Sequence, residues 1–169
     1  KGDFEEAIKT FSFIKNEYNK NEIRFKAALW LVRGYVEKSD FTSAELELEE
    51  LLKNKRFPNE LNKELAVVAA DFYVQKEDFT AATAELLTAT KLIKRKKKKV
   101  RLNYILAQIY QYSNNYSLAQ KHYELVLKSN PEYEMAFNAK MNLARSLESG
   151  SPDTKKMKEK LLKMAKDDK

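Results

Sequence analysis

The chain has 169 residues, a net charge of +7 and 43% hydrophobic residues, and this length suits a single domain. It has no cysteine, which excludes disulfides and thiol chemistry, and its three glycines and three prolines leave room for little besides helix. No apolar run approaches the roughly 18 residues of a membrane span, and no signal peptide is visible.

The predicted elements, in chain order, are helices joined by short polar turns. Apolar residues at helical spacing place these helices at about 3–18, 21–38, 41–53, 60–75, 79–94, 97–112, 116–128 and 131–148. The segment Ser149-Gly150-Ser151-Pro152 then breaks the chain, and Pro152 opens a last helix that extends to about Lys166. No alternating strand pattern with turn signals appears, so the sequence predicts an all-α fold.

A short phrase recurs four times along the chain and sets a regular period. Each copy has a polar pair, an aromatic residue and then an alanine three positions further on. The copies are Gly2-Asp3-Phe4-x-x-Ala7, Ser39-Asp40-Phe41-x-x-Ala44, Glu77-Asp78-Phe79-x-x-Ala82 and Asn114-Asn115-Tyr116-x-x-Ala119. Their alanines fall 37, 38 and 37 residues apart. A constant period near this length indicates a solenoid of stacked units, and solenoids mostly work by presenting an extended surface.

Residues around the phrase predict how two helices join and pack. Asp40, Asp78 and Asn115 stand just before the second helix of a pair, where a short polar side chain caps the first backbone N–H groups. A tyrosine precedes the alanine by nine residues in every complete copy, namely Tyr35, Tyr73 and Tyr110. Aromatic and small residues at these spacings favour close packing of antiparallel helices.

This pattern resembles the tetratricopeptide repeat (TPR) family, whose unit is a helix-turn-helix. Pro131 fits as well, since that family often places a proline where the next repeat begins. The period is about three residues longer than the usual roughly 34. The signature tryptophan and glycine of the first helix are absent, and Trp30 lies elsewhere in its helix. The resemblance implies a right-handed superhelical solenoid of antiparallel helix pairs with one continuous core.

We expect one TPR domain over residues 1–169, taken from a larger protein, because Lys1 enters at the second helix of a repeat. The expected divisions are the second helix of a truncated repeat at 1–20, repeats at 21–58, 59–96 and 97–130, and a degenerate final repeat at 131–169 with an extended turn at 149–152. The lack of a targeting segment therefore indicates nothing about the parent protein.

No catalytic motif is visible in the sequence. His122 is the sole histidine, and without a cysteine or a second histidine it does not make an ordinary zinc site. The group Glu45, Glu47, Glu49 and Glu50 looks like a solvated helix face, with Glu45 and Glu47 on different sides of the helix. Glycine-rich phosphate loops and nucleophile elbows are absent. We therefore predict a non-enzymatic protein with no cofactor and no metal.

The strongest charge feature runs from Lys91 to Arg101 and holds eight basic residues and no acidic one. Because the whole chain carries +7, the remainder sums to −1, and the basic character is local. We interpret the run first as a solvated turn between two repeats. The alternatives are a patch for an acidic protein or lipid, or one for nucleic acid, although no aromatic residue for base stacking interrupts it.

The TPR resemblance implies that ligand contacts lie on the inner face of the first helix of each pair. Carried onto this chain, these positions are Leu29, Arg33, Val36, Val67, Asp71, Val74, Tyr104, Gln108, Gln111, Met141 and Arg145. They imply a concave groove for a protein or peptide of unknown identity. The apolar positions suit an aliphatic or aromatic side chain of the ligand, and Arg33 and Arg145 suit a carboxylate of the ligand. The alternative is that these residues merely solvate the inner face.

The C-terminal region is also similar to the TPR region of PorW (SprE), a family of Bacteroidota cell-envelope lipoproteins tied to type IX secretion and gliding motility. The similar segments are Phe137–Arg145 and Lys160–Lys169. This similarity implies an interaction role on the periplasmic side of the outer membrane. Two other functions stay open: an accessory helical-repeat domain of a larger enzyme, and a nucleic-acid-binding repeat that uses the Lys91–Arg101 segment.

Overall fold

The computed structural model describes residues 4–150 together with Glu159 and Leu162. The described residues form helices joined by short turns, and no strand occurs among them. The prediction of an all-α helical repeat fold is confirmed. The helix predicted from Pro152 lies outside the described residues, except for Glu159 and Leu162, which are both helical.

The chain divides into two compact units between Leu92 and Ile93. The first unit contains α1 (Phe4–Glu17), α2 (Ile23–Glu37), α3 (Phe41–Lys53), a 3-10 turn (Asn59–Leu61), α4 (Asn62–Gln75) and α5 (Phe79–Leu92). The second unit contains α6 (Lys96–Tyr112), α7 (Tyr116–Lys128) and α8 (Tyr133–Gly150). In both units consecutive helices pack side by side, and in the first unit α2 also contacts α4. The expected repeat boundaries stay a prediction.

The turn inside a helix pair has the same backbone geometry in three places. One residue of each turn is left-handed, namely Ser39, Glu77 and Asn114, with φ of 59°, 61° and 57°. The next residue donates its backbone N–H to the carbonyl of the repeated tyrosine, from Asp40 to Tyr35, from Asp78 to Tyr73 and from Asn115 to Tyr110, at 2.9, 2.9 and 2.8 Å. This Schellman ending satisfies carbonyls that a helix end otherwise leaves free.

The residue after each left-handed position also caps the following helix. The side-chain Oδ1 atom accepts a backbone N–H in all three turns: Asp40 from Ser43 at 3.1 Å, Asp78 from Ala81 at 3.0 Å and Asn115 from Leu118 at 3.4 Å. The predicted caps are confirmed. Hydrogen bonding to Ser43 also lowers the pKa of Asp40, because it favours the ionised carboxylate. One residue thus ends one helix and begins the next.

Small residues lie where helices cross most closely. The repeated alanines Ala44, Ala82 and Ala119 are completely buried. At Gly34 in α2, an added Cβ atom would lie only 2.8 Å from the Cγ1 atom of Ile8 in α1, so glycine permits this close approach. Each unit has its own buried apolar cluster, with Phe72 among the most buried side chains of the first and Tyr123 of the second.

The helix α8 extends further than the sequence predicts. It runs to Gly150, two residues beyond the predicted end at Glu148, so the predicted break at Ser149 and Gly150 is wrong at these two positions. A helical glycine costs about 1 kcal/mol relative to alanine, which is the signal that suggested a break. Leu143 and Leu147 are buried in the second unit's core in the preceding turns, and the helix continues past them through Ser149 and Gly150.

Candidate functional site

In each unit a depression lies between the first helices of neighbouring pairs. In the second unit the depression lies between α6 and α8 and has a volume of about 720 Å³; we call it the α6–α8 groove. In the first unit it lies between α2 and α4 and has a volume of about 230 Å³; we call it the α2–α4 pocket. The larger groove is the stronger candidate for binding another molecule.

The α6–α8 groove combines an apolar floor with charged rims. Val100, Tyr104 and Met135 contribute the floor, and both Tyr104 and Met135 are half-buried. The α6 rim carries five basic residues, which are Arg95, Lys96, Lys97, Lys98 and Arg101. The α8 rim carries two acidic residues, Glu132 and Glu134, together with polar groups that include Asn138. This arrangement suits a ligand with an apolar side chain that packs on the floor and an adjacent charged group that contacts one of the rims.

Packing beneath the floor fixes the position of Tyr104. Its ring meets the ring of Tyr123 edge to face, with 5.9 Å between ring centroids, and its hydroxyl oxygen accepts a hydrogen bond from Asn142 in α8 at 3.3 Å. Tyr123 is fully buried and donates its hydroxyl to the Oε1 atom of Gln111 at 2.7 Å. Burial raises the pKa of Tyr123, so its hydroxyl stays a donor. These contacts position the Tyr104 ring between α7 and α8.

The rim charges are mostly left unpaired. Lys97 and Glu132 approach to 3.2 Å, but both side chains are more than 80% exposed, and such surface pairs contribute little. In the described part of the chain, no carboxylate lies within ion-pair distance of Arg95, Lys98 or Arg101. Backbone amides at the start of α6 add further positive potential to this rim. The α6 rim is therefore a basic surface open to an anionic group.

The α2–α4 pocket is smaller and contains Trp30. This indole is 50% exposed, stacks on the Phe11 ring with 5.8 Å between centroids, and lies 4.7 Å from the guanidinium carbon of Arg33. Glu64 from α4 also lines the pocket, and its Oε2 atom is buried with no hydrogen-bond partner among the described residues. The accessible feature of this pocket is therefore the aromatic face of Trp30.

Electrostatic coupling links Arg33 with α4. Burial raises the pKa of Asp71, the positive charge of Arg33 acts to lower it, and the negative charge of Glu37 acts to raise it. The two predicted contact residues Arg33 and Asp71 thus lie near enough for their charges to interact. Their charges partly neutralise one another, which reduces the charge available to a ligand.

The predicted contact residues fall into three groups. Leu29 and Arg33 line the α2–α4 pocket, and Tyr104 lines the α6–α8 groove. Val36 is 6% exposed and Leu29 is 5% exposed, and both pack in the first unit's core, so both offer almost no surface to a ligand. The remaining positions lie outside the described linings of both depressions: Val67, Asp71, Val74, Gln108, Gln111, Met141 and Arg145.

Several groove residues were not among the predicted contacts. Val100 and the basic rim come from the first turns of α6, and Met135 and Glu134 come from the start of α8. The basic run itself was the signal, but we interpreted it first as a solvated turn. The structure instead places Lys96–Lys99 in the helix, with only 93–95 between α5 and α6.

Neither a membrane-spanning helix nor a metal-binding cluster occurs in the part of the chain that the structure describes. Within residues 4–150 and the two further described positions, no helix is long and apolar enough to cross a membrane. In the same residues, no three histidine, cysteine, aspartate or glutamate side chains are placed to hold a metal ion.

The second unit contains a segment that matches a known repeat family. Residues 100–133 match the tetratricopeptide repeat. This TPR match spans α6 from Val100, all of α7 and the first residue of α8, and it supports the family resemblance seen in the repeated phrase. It therefore also covers the floor residues Val100 and Tyr104.

A solved structure has a similar fold. The crystal structure of BtubC (BKLC) from P. vanneervenii superimposes with a TM-score of 0.57 at 14% sequence identity, over 87% of this chain. The chain spans 64% of that protein's length. At this identity the likeness shows the fold alone. No curated protein matches the chain significantly, and neither match supports the narrower similarity to the envelope lipoproteins.

Proposed function

We propose that the chain is a non-catalytic scaffold that binds a segment of another protein across the first helices of its TPR pairs. TPR repeats generally mediate protein–protein interaction, and proteins of this family are typically non-catalytic. The observation that carries the proposal is the α6–α8 groove, with a volume of about 720 Å³, an apolar floor and charged rims. Such a combination suits an anchoring side chain flanked by polar contacts.

A steric block of the groove tests this function. Asn138 lies on the α8 rim and is exposed, so Asn138→Trp fills the groove without removing a buried side chain. Ser117→Trp adds the same side chain at an exposed position of α7 that lies outside the groove lining. Both variants should keep the helical circular dichroism spectrum of the wild type.

The measurement is recovery of partner proteins from an extract of the source cells, identified by mass spectrometry. The expected result is a protein recovered by the wild type and by Ser117→Trp but lost with Asn138→Trp. Equal recovery by all three proteins would move binding away from the α6–α8 groove. A second comparison uses Arg33→Glu, which reverses the charge beside Trp30 in the α2–α4 pocket.

We also propose, from the narrower sequence similarity, that the parent protein works at the periplasmic side of the outer membrane in secretion or gliding. The similarity of Phe137–Arg145 and Lys160–Lys169 to the PorW lipoproteins supports this location. Fractionation of source cells, followed by detection of the full-length protein with an antibody raised against this chain, tests it. Recovery in the cytoplasmic fraction would contradict the proposal.

A further inference from the structure

The two units differ strongly in charge. Up to Leu92 the chain has 14 lysines and arginines against 17 aspartates and glutamates, a net charge of −3. From Ile93 onward it has 18 against 8, a net charge of +10. The excess positive charge of the protein therefore belongs to the unit that contains the α6–α8 groove. Anionic partners are attracted to such a surface.

Five basic residues of the second unit lie at one edge of the groove. Arg95 precedes α6, Lys96, Lys97 and Lys98 begin it, and Arg101 lies one turn further along. All five side chains are exposed. A spacing of three residues between Arg95, Lys98 and Arg101 distributes positive charge along this rim. The floor formed by Val100 and Tyr104 belongs to the same groove.

This edge is unfavourable for the isolated protein. Cations at a helix N-terminus are repelled by the positive end of the helix dipole and by each other. No acidic residue stands in the first turn of α6, and the preceding Arg95 provides no side-chain cap. A carboxylate-bearing partner would relieve both repulsions at once.

We propose that the α6–α8 groove binds an acidic segment of a partner protein, with carboxylates on the α6 rim and one apolar side chain on the floor. Arg95, Lys98 and Arg101 would receive the carboxylates, and Val100, Tyr104 and Met135 would receive the apolar side chain. Guanidinium and ammonium groups form their strongest hydrogen bonds with such anions. The inference rests on the proposed protein-binding function and names the chemistry of its partner.

The same geometry disfavours nucleic acid. Glu132 and Glu134 stand on the opposite rim and would repel a phosphate backbone laid along the groove. The one aromatic side chain of the groove lining, Tyr104, is half-buried and packed on Tyr123, so it provides no open platform for a stacked base. A bound peptide whose carboxylates all face the α6 rim would not be repelled by the acidic residues of the α8 rim.

Peptide binding by fluorescence anisotropy tests the inference. The probe is a labelled synthetic peptide Glu-Asp-Phe-Glu-Asp, compared with Gln-Asn-Phe-Gln-Asn and with a labelled single-stranded oligonucleotide. The test variant carries Lys98→Glu and Arg101→Glu on the rim. The control variant carries Lys91→Glu and Lys94→Glu, which change the net charge equally in the same basic run but outside the groove lining.

The acidic peptide should bind the wild type at least about tenfold more tightly than the amide peptide, since each tenfold corresponds to about 1.4 kcal/mol. The rim variant should lose about tenfold or more in affinity for the acidic peptide, and the control variant should lose less than about threefold. Equal losses in both variants would mean diffuse charge attraction, and tighter binding of the oligonucleotide would mean a nucleic-acid surface. Either result overturns the inference.

Failure of the inference and failure of the proposed function give different results. If the acidic peptide does not bind but Asn138→Trp still abolishes recovery of a cellular protein, the groove binds a partner of other chemistry. If Asn138→Trp has no effect on recovery while the acidic peptide binds the α6 rim, the rim is an acidic-peptide site that the cellular partners do not use. If neither experiment shows an effect, both proposals are wrong.

Discussion

The Nδ1 atom of His122 in α7 lies 2.9 Å from the Oδ1 atom of Asn103 in α6. Asn103 donates its own Nδ2 hydrogen to the carbonyl of Lys99 at 2.8 Å, so its Oδ1 atom is the acceptor that faces the imidazole. The Nδ1 atom of His122 is therefore the donor. The ring also stacks on Tyr110, with 5.4 Å between centroids. The sole histidine of the chain thus joins two helices of the second unit.

This contact predicts a pH-dependent stability. Burial, with a smaller effect of the Lys121 charge, lowers the pKa of His122 below its ordinary 6.5. The unfolded chain then binds a proton more readily than the folded one, so stability present above pH 6.5 is lost as the pH falls toward the folded pKa. Urea unfolding at about pH 7.5 and about pH 5.5 measures this loss.

The control for the pH effect is His122→Gln, which removes the titrating group but keeps a side chain able to donate to Asn103. We expect the wild type to lose more unfolding free energy than this variant between the two pH values. If the two proteins lose the same amount, His122 titrates normally and the pH dependence has another origin.

The left-handed turn at Glu77 predicts a stabilising substitution. Glu77 has a φ of 61°, and a residue with a Cβ atom is less favourable than glycine in this conformation by about 1 kcal/mol. Glu77→Gly should therefore raise the free energy of unfolding by about 0.5 to 1 kcal/mol. Glu77→Ala removes the same carboxylate but keeps the Cβ atom, so it should give no such gain in chemical denaturation. A gain shared by both variants would assign the effect to the side-chain charge.

Helix positions could be predicted from the sequence because the residues that end and cap a helix lie next to it in the chain. The predicted bounds of α3 and α7 agree with the structure, since Asp40 and Asn115 cap those helices from the adjacent residue. The helix α8 continues two residues past its predicted end, so the local preference of Gly150 did not end it. Local signals thus predict the starts of the capped helices α3 and α7, whereas α2 and α4, which have no side-chain cap, begin two residues after their predicted starts.

The groove was harder to predict than the helices. Tyr104 was among the predicted contacts, but Val100 and Met135 were not, although they form the same floor. These two residues are 35 positions apart, and their proximity depends on how α6 and α8 pack around α7. The helical register identifies a face within one helix, whereas a groove requires the placement of two.

Burial of the repeated alanine predicts that a charged residue destabilises the fold severely at Ala82 but not at the exposed Ala84. Ala82 is 0% exposed in α5, so Ala82→Glu forces a carboxylate into a tight helix crossing and should cost more than about 3 kcal/mol. Ala84 is exposed on the same helix, and Ala84→Glu should stay within about 0.5 kcal/mol of the wild type. Thermal melts compare the two, and an unchanged melt for Ala82→Glu would refute the repeat register.

A cluster that joins α1 and α3 corrects the interpretation of the glutamate-rich face. The Nζ atom of Lys15 lies 2.7 Å from Glu47 and 2.7 Å from Glu50, and the Glu47 side chain is only 13% exposed. Glu47 is therefore not simply solvated, because a residue 32 positions away covers it. Burial acts to lower the pKa of Lys15, but its hydrogen bonds to Glu47 and Glu50 outweigh that effect and raise the pKa.

A double-mutant cycle measures what this contact contributes. The cycle uses Lys15→Ala, Glu47→Ala and the double variant. We expect a coupling free energy of about 1 kcal/mol, near the upper end of the range for surface ion pairs, because Glu47 is shielded from water. The matched control is the pair Lys53 and Glu49 on α3, which is equally short at 2.6 Å but has exposed side chains. Its coupling should be distinctly smaller and should decrease further with added salt, because exposed charges are screened. Equal couplings in the two cycles would show that burial adds nothing to the Lys15 contact.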